Sequence, residues 1–177
     1  MSRIDPVTPE RMSDEQRRLY DSISSGPRGG VRGPLAIWLH RPGLAAPAQE
    51  LGAYCRYGSS LDARLSELAI ITLGSLWDAG YEWSAHKPLA LAAGVAPEVV
   101  DAIGRKETPR FEREDEQLVY DFVTALSVGR DVTEPLFRRV LEGLGRDGLI
   151  DLTGIVGYYT FISMTIKVFD IQPGPRP

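Results

Sequence analysis

The apolar positions of this chain recur with a helical period almost from end to end. From Leu61 the pattern passes through Leu65, Leu68, Ala69, Thr72, Leu73 and Leu76, the i, i+3, i+4 spacing of one helix face. The run Leu68-Ala69-Ile70-Ile71 widens that stripe and predicts a central helix buried on several sides. Ser59 or Ser60 is the expected cap of this helix, and Asp78-Ala79-Gly80 interrupts it. A second buried helix follows and ends at Gly94, a residue suited to the left-handed turn past a helix C-terminus. Pro88 falls inside that helix. It removes the bond to the Ser84 carbonyl, so a kink or local loosening is expected near His86.

The flanking segments read the same way. Ser13 and Gln16 form a capping-box pattern that starts a helix through Leu19, Tyr20 and Ile23, ending before Gly26-Pro27. The stretch GPRGGVRGP, residues 26 to 34, holds four glycines and two prolines and is expected to lack regular structure. Its two arginines, Arg28 and Arg32, either clamp an anion or are simply solvated. Leu35 to His40 reads as a helical turn stopped by Arg41-Pro42. Further helices are expected at 43–57 (Pro47 near the start), from Pro97 to Ile103, and at about 114–128, 133–145 and 148–168. A polar connection spans 104–113, and the QPGPRP tail is expected to be loose. The β-rich patch Ile155 to Phe169 is too long for one strand and has no turn signal, so it reads as a buried helix. The expected fold class is all-α. Residues 1–177 form a single domain, with an N-terminal helix and Gly/Pro/Arg loop (1–34) and a helical core (35–170).

Composition narrows the function classes. Hydrophobic residues make up 43% and charged residues 25% of the 177, the balance of a soluble globular domain. A formal charge of −4 gives no electrostatic reason for a nucleic-acid or anionic-membrane partner. No apolar run is read as long enough to span a bilayer, and the polar N-terminus lacks a signal-peptide pattern; a cytoplasmic location is the expectation. The single cysteine, Cys55, leaves no intrachain disulfide and no CxxC motif. Within its helical pattern it reads as a small buried apolar residue.

The candidate chemistry lies in ELAIITLGSLWDAGYEWSAH, residues 67 to 86. Glu82 and His86 are four apart, so on a helix their side chains can meet. A carboxylate beside an imidazole is a proton-transfer pair. Glu67 sits inside the most apolar helix, where a carboxylate needs a partner. It either pairs with Arg64 at the edge of the stripe or points at His86 from the neighbouring helix. Glu67, Glu82 and His86 could also ligate a metal. Only one other histidine exists, His40, before an Arg-Pro stop, so proton transfer is preferred and no metal is expected.

Around these residues the sequence resembles the carboxymuconolactone decarboxylase family, whose superfamily includes the alkylhydroperoxidase AhpD proteins. The resemblance rests on residues 59 to 104: a Glu in an ELAI-type helix, then YEW-x2-H nineteen residues after that Glu, then a small-residue helix ending in AGV. Looser similarity runs from the HRP turn at 40 to GYYTFI near 158, and the chain is most similar to cysteine-free members. The resemblance implies an AhpD-like helical bundle assembled as a homo-oligomer, a trimer or hexamer, with sites near subunit contacts. The peroxidase branch carries a CxxC pair that falls here on Ala79 and Glu82, so thiol-based peroxide reduction lacks its nucleophile. What the resemblance implies instead is a cofactor-independent carboxy-lyase acting on a small carboxylated lactone in aromatic-compound breakdown. His86 is then the proton donor or shuttle, Glu82 its orienting partner and Glu67 a second relay member. Arg64, Arg28 and Trp83 are the expected substrate-binding residues. An AhpD-like oxidoreductase, a metal-dependent enzyme and a non-catalytic small-molecule-binding oligomer stay open beside it.

Overall fold

The computed structural model describes residues 2–173. Among them are eight α-helices and no strand. The helices are α1 (Asp14–Ser25), α2 (Pro34–Trp38), α3 (Pro42–Tyr57), α4 (Ala63–Leu76), α5 (Gly80–Ala92), α6 (Pro97–Gly104), α7 (Glu114–Thr124) and α8 (Glu134–Phe169). The all-α expectation holds. Most of the QPGPRP tail lies outside the described residues.

α4 is the axis of the bundle. It packs against α5, α7 and α8, and every residue from Leu65 to Gly74 is buried. This is why its sequence is apolar on more than one face: Leu68, Ala69, Ile70, Ile71 and Leu73 have no exposed surface at all. The helix starts two residues later than expected. Asp62, not Ser59 or Ser60, is the N-cap, its carboxylate accepting from the Leu65 amide at 2.9 Å. A carboxylate is the better cap because it also meets the positive end of the helix dipole. Ser60 instead donates through both its amide and its hydroxyl to Asp151 on α8, each at 2.7 Å, and the Tyr54 hydroxyl donates to the same carboxylate at 2.7 Å. Asp151 thus ties the α3–α4 connection to the long helix.

The α4–α5 hairpin turns through Asp78, whose φ of 49° is left-handed, and Gly94 closes α5 with φ 98°. The expected disturbance at Pro88 does not interrupt α5, which is helical from Gly80 to Ala92. Ser84 is exposed, so Pro88 sits on the solvent side of the helix, where a carbonyl without a helical partner costs least. α7 passes into a wider π-type turn at Ala125–Gly129. α8 contains one non-helical residue, Gly145 at φ 73°, so the two expected helices join there at a break. α8 is also long and apolar enough to cross a bilayer, contrary to the sequence reading, yet 61% of its most apolar window is buried inside the bundle. It is the core helix on which the site is built.

Cys55 is buried on α3. Desolvation, aided by the Asp151 charge, pushes its thiol up to about 11, so it stays protonated at neutral pH.

Candidate functional site

α4 and α5 lie side by side and bring Glu67 and His86 together across their interface. His86 Nδ1 is 2.6 Å from Glu67 Oε2. On the other side of the ring, Nε2 is 2.9 Å from Glu82 Oε1, one turn back on α5. All three side chains are buried, His86 at 5% exposure, Glu82 at 4% and Glu67 at 9%. α8 closes the site: Tyr159 presents its ring edge-on to the imidazole, centroids 5.4 Å apart at 83°.

The charge state follows from this enclosure. Burial alone would drive the proton off the imidazole. The adjacent Glu82 carboxylate and the Glu67 hydrogen bond outweigh burial and hold His86 at about 9. At neutral pH the ring is an imidazolium donating from both nitrogens, one to each carboxylate. Two carboxylates at opposite ring nitrogens cannot share one ion with that ring, and among the described residues no His, Cys, Asp or Glu group converges as a metal-ligand set.

His86 and Glu82 line a cavity of about 200 Å³. Its other walls are Leu35 and Ile162, the tyrosines Tyr81, Tyr158 and Tyr159, and three arginines, Arg28, Arg32 and Arg56. Glu67 does not line it; this carboxylate stands behind the ring. The Gly/Pro/Arg loop reaches the cavity because Gly33 takes φ 56° directly against the Tyr81 ring. A Cβ there would collide with that ring, so only glycine allows the approach. Burial, reinforced by Glu82, raises Tyr81 and takes Tyr159 well above its usual range. Burial also raises Tyr158 to about 12, opposed by the Arg28 charge. All three remain phenols, able to donate.

The expected substrate-binding residues divide. Arg28 lines the cavity. Arg64 does not: it is bound by Asp115 at 2.6 Å and Glu116 at 2.8 Å, with Asp62 at 3.4 Å. This cluster pins α7 to the start of α4, so Arg64 is a structural residue and also not the partner of Glu67. Trp83 faces away as well. Its ring packs against Gly104 on α6, beneath the Lys87 ammonium at 5.9 Å, and lines a separate recess. As an i+1 neighbour of Glu82 it had to point elsewhere. Sequence reasoning missed Arg56, Tyr158 and Tyr159. The signal for the two tyrosines was present: paired hydroxyls in the middle of an apolar helix need polar company.

No protein-family model matches the sequence, and no curated protein matches it. Solved structures do. An uncharacterized peroxidase-related protein from Ralstonia eutropha JMP134, described as an alkylhydroperoxidase AhpD core, superposes with a TM-score of 0.77 at 16% identity, covering 98% of this chain and 93% of its own. An uncharacterized peroxidase-related protein from Silicibacter sp. TM1040 gives 0.77 at 13% identity, covering 98% and 92%. The debrominase Bmp8 gives 0.73 at 17% identity, covering 96% and 91%. The chain has the AhpD-like fold.

Proposed function

We propose that this protein is an enzyme that moves protons on a small organic substrate without a cofactor. The observation that carries the reading is one imidazole ring, clamped between Glu67 at 2.6 Å and Glu82 at 2.9 Å, at the wall of a cavity of about 200 Å³. The occurrence of a debrominase on the same fold supports an enzymatic use of this scaffold.

On this reading the roles fall differently from those the resemblance implies. Glu67, behind the ring, fixes the imidazole through Nδ1 and holds its charge. Glu82 faces the cavity beside Nε2, so the proton shared by these two groups is the one a substrate can receive. The high affinity of His86 for its proton suits this task. An enolate or dienolate carbon is a far stronger base than an imidazole, so transfer to it runs downhill, while ordinary ligands leave the proton in place. The phenol of Tyr159 and the guanidinium groups of Arg32 and Arg56, which line the same cavity, are donors for an oxyanion that develops during reaction.

The finer reading is decarboxylation of a small carboxylated lactone in aromatic-compound breakdown. The bond from the ring carbon to its carboxylate breaks and CO₂ leaves. The electron pair passes through the conjugated system onto the lactone carbonyl oxygen, and the proton held between His86 and Glu82 is then delivered to carbon. The test is proton NMR in deuterium oxide with a panel of carboxylated γ-lactones, reading CO₂ loss and deuterium entry at carbon. Wild-type protein is expected to turn over at least one of them. His86→Gln and Glu82→Gln are expected to lose about 10² to 10⁴-fold in rate, the usual scale of acid–base assistance. Equal rates in His86→Gln would remove the role given to the imidazole.

A further inference from the structure

Arg28 differs from Arg64, another partly buried arginine of this fold. Arg64 spends its donors on carboxylates. Arg28 Nε and Nη2 and Tyr158 Oη are buried and reach no carboxylate or carbonyl among the described residues; the guanidinium and the phenol stand beside each other, and the Arg28 side chain opposes the rise of the Tyr158 pKa by direct contact and charge. Buried donors without acceptors cost free energy, and the charged guanidinium costs most. Both groups line the cavity that holds His86 and Glu82.

The two free nitrogens are a matched pair. Nε and Nη2 carry the N–H bonds that run parallel along one edge of the guanidinium, the edge that meets the two oxygens of a carboxylate side by side. Arg28 and Tyr158 also meet each other over Gly52 of α3, where any Cβ would strike both. Glycine at 52 keeps the space in which the two donors come together. Arg32 and Arg56 flank the same cavity, so an acidic chain of net charge −4 gathers three guanidinium groups at one opening. Such clustering attracts anions from a distance. Leu35 and Ile162 offer the remaining wall to hydrocarbon.

We propose that the cavity holds a small organic carboxylate by the Nε–Nη2 edge of Arg28, with Tyr158 Oη as a third donor, and that this carboxylate is a retained anchor, not the reacting group. The proposal rests on the reading that the cavity is the substrate site. The anchor is retained for an energetic reason. Loss of CO₂ disperses the carboxylate charge, and a bidentate ion pair stabilises that charge in the ground state more than in the transition state, which slows its departure. A substrate with one carboxylate therefore undergoes a proton shift here. One that loses CO₂ must carry a second carboxyl directed at Glu82 and His86.

The experiment is isothermal titration of the whole chain with benzoate, its neutral isostere benzamide, and inorganic phosphate. Benzoate is expected to bind, with benzamide and phosphate at least about tenfold weaker. Arg28→Gln is expected to lose benzoate affinity by about 10- to 100-fold. Arg28→Lys keeps the charge but not the fork, and is expected to recover only part of that loss; Tyr158→Phe loses a smaller factor. Melting curves of each variant confirm that the fold is intact. The proposal is overturned by absent benzoate binding, by equal affinity for benzoate and benzamide, by preference for phosphate, or by unchanged affinity in folded Arg28 variants. Arg28-dependent benzoate binding beside failed proton chemistry would remove the catalytic reading and leave the anchor standing.

Discussion

The proton on His86 can be weighed directly. Its folded-state value of about 9 lies above the usual 6.5. At about 1.4 kcal/mol per pH unit, that difference corresponds to about 3 kcal/mol of coupling between protonation and folding. Because the folded value is raised, the contribution is complete below pH 6.5 and is lost as pH rises through about 9. The measurement is ¹⁵N NMR of the imidazole. The chain has only two histidines, and the ring of the exposed His40 hydrogen-bonds the Asp5 carbonyl, away from the site, so a His40→Asn background leaves one ring to follow. The titration midpoint is expected near 9. Glu67→Gln removes the 2.6 Å partner and is expected to lower it by about one pH unit or more. Urea unfolding supplies the energetic half: the stability difference between wild type and His86→Gln should shrink by about 3 kcal/mol between pH 6 and pH 10. A midpoint at or below 6.5 would refute the reasoning, since burial would then have beaten both carboxylates and the ring would be neutral at physiological pH.

Other consequences are equally open to measurement. Arg64→Met leaves Glu116 buried at 3% exposure without a cation, so a loss of about 3 kcal/mol in unfolding free energy is expected, with ligand affinity in the His86 cavity unchanged. Gly52→Ala places a methyl group against Tyr158 and Arg28; a destabilisation of about 1–3 kcal/mol by thermal or urea unfolding is expected, together with weaker benzoate binding. Asp151→Asn cannot satisfy three donors as a carboxylate does and is expected to cost about 1–3 kcal/mol in the same assay. Cys55, buried and held up at about 11, is expected to resist thiol-specific reagent at pH 8 until urea unfolds the chain.

Much of the architecture could be read from local pattern. The α4 stripe, the Asp78 break, the Gly94 stop and the Ser13–Gln16 capping box are one-helix properties, decided by spacing and by a few residues with special backbone preferences. The Ser13 box is present in full, Ser13 Oγ accepting from the Gln16 amide and Gln16 accepting from the Ser13 amide. The Glu82–His86 contact was legible for the same reason, since both residues ride on one helix. Glu67 was ambiguous because its partner lay on another helix: Arg64 and His86 were both within reach on paper. Arg64 and Trp83 lie away from the His86 cavity, Arg64 drawn to the acids of α7 and Trp83 turned aside as the neighbour of Glu82, and only packing shows which side of a helix holds the cavity.

The order and length of the helices, and the meeting of Glu82 with His86, were determined by the sequence through interactions spanning at most one or two turns. Tertiary structure alone decided that α4 would carry Glu67 to the far side of the imidazole. It also decided that Arg28 would arrive from a glycine-rich loop and Tyr158 from α8, with their donors left free. Those encounters join residues up to 130 positions apart, and they depend on how apolar faces pack. Local periodicity states that such faces exist, but not which of them will touch.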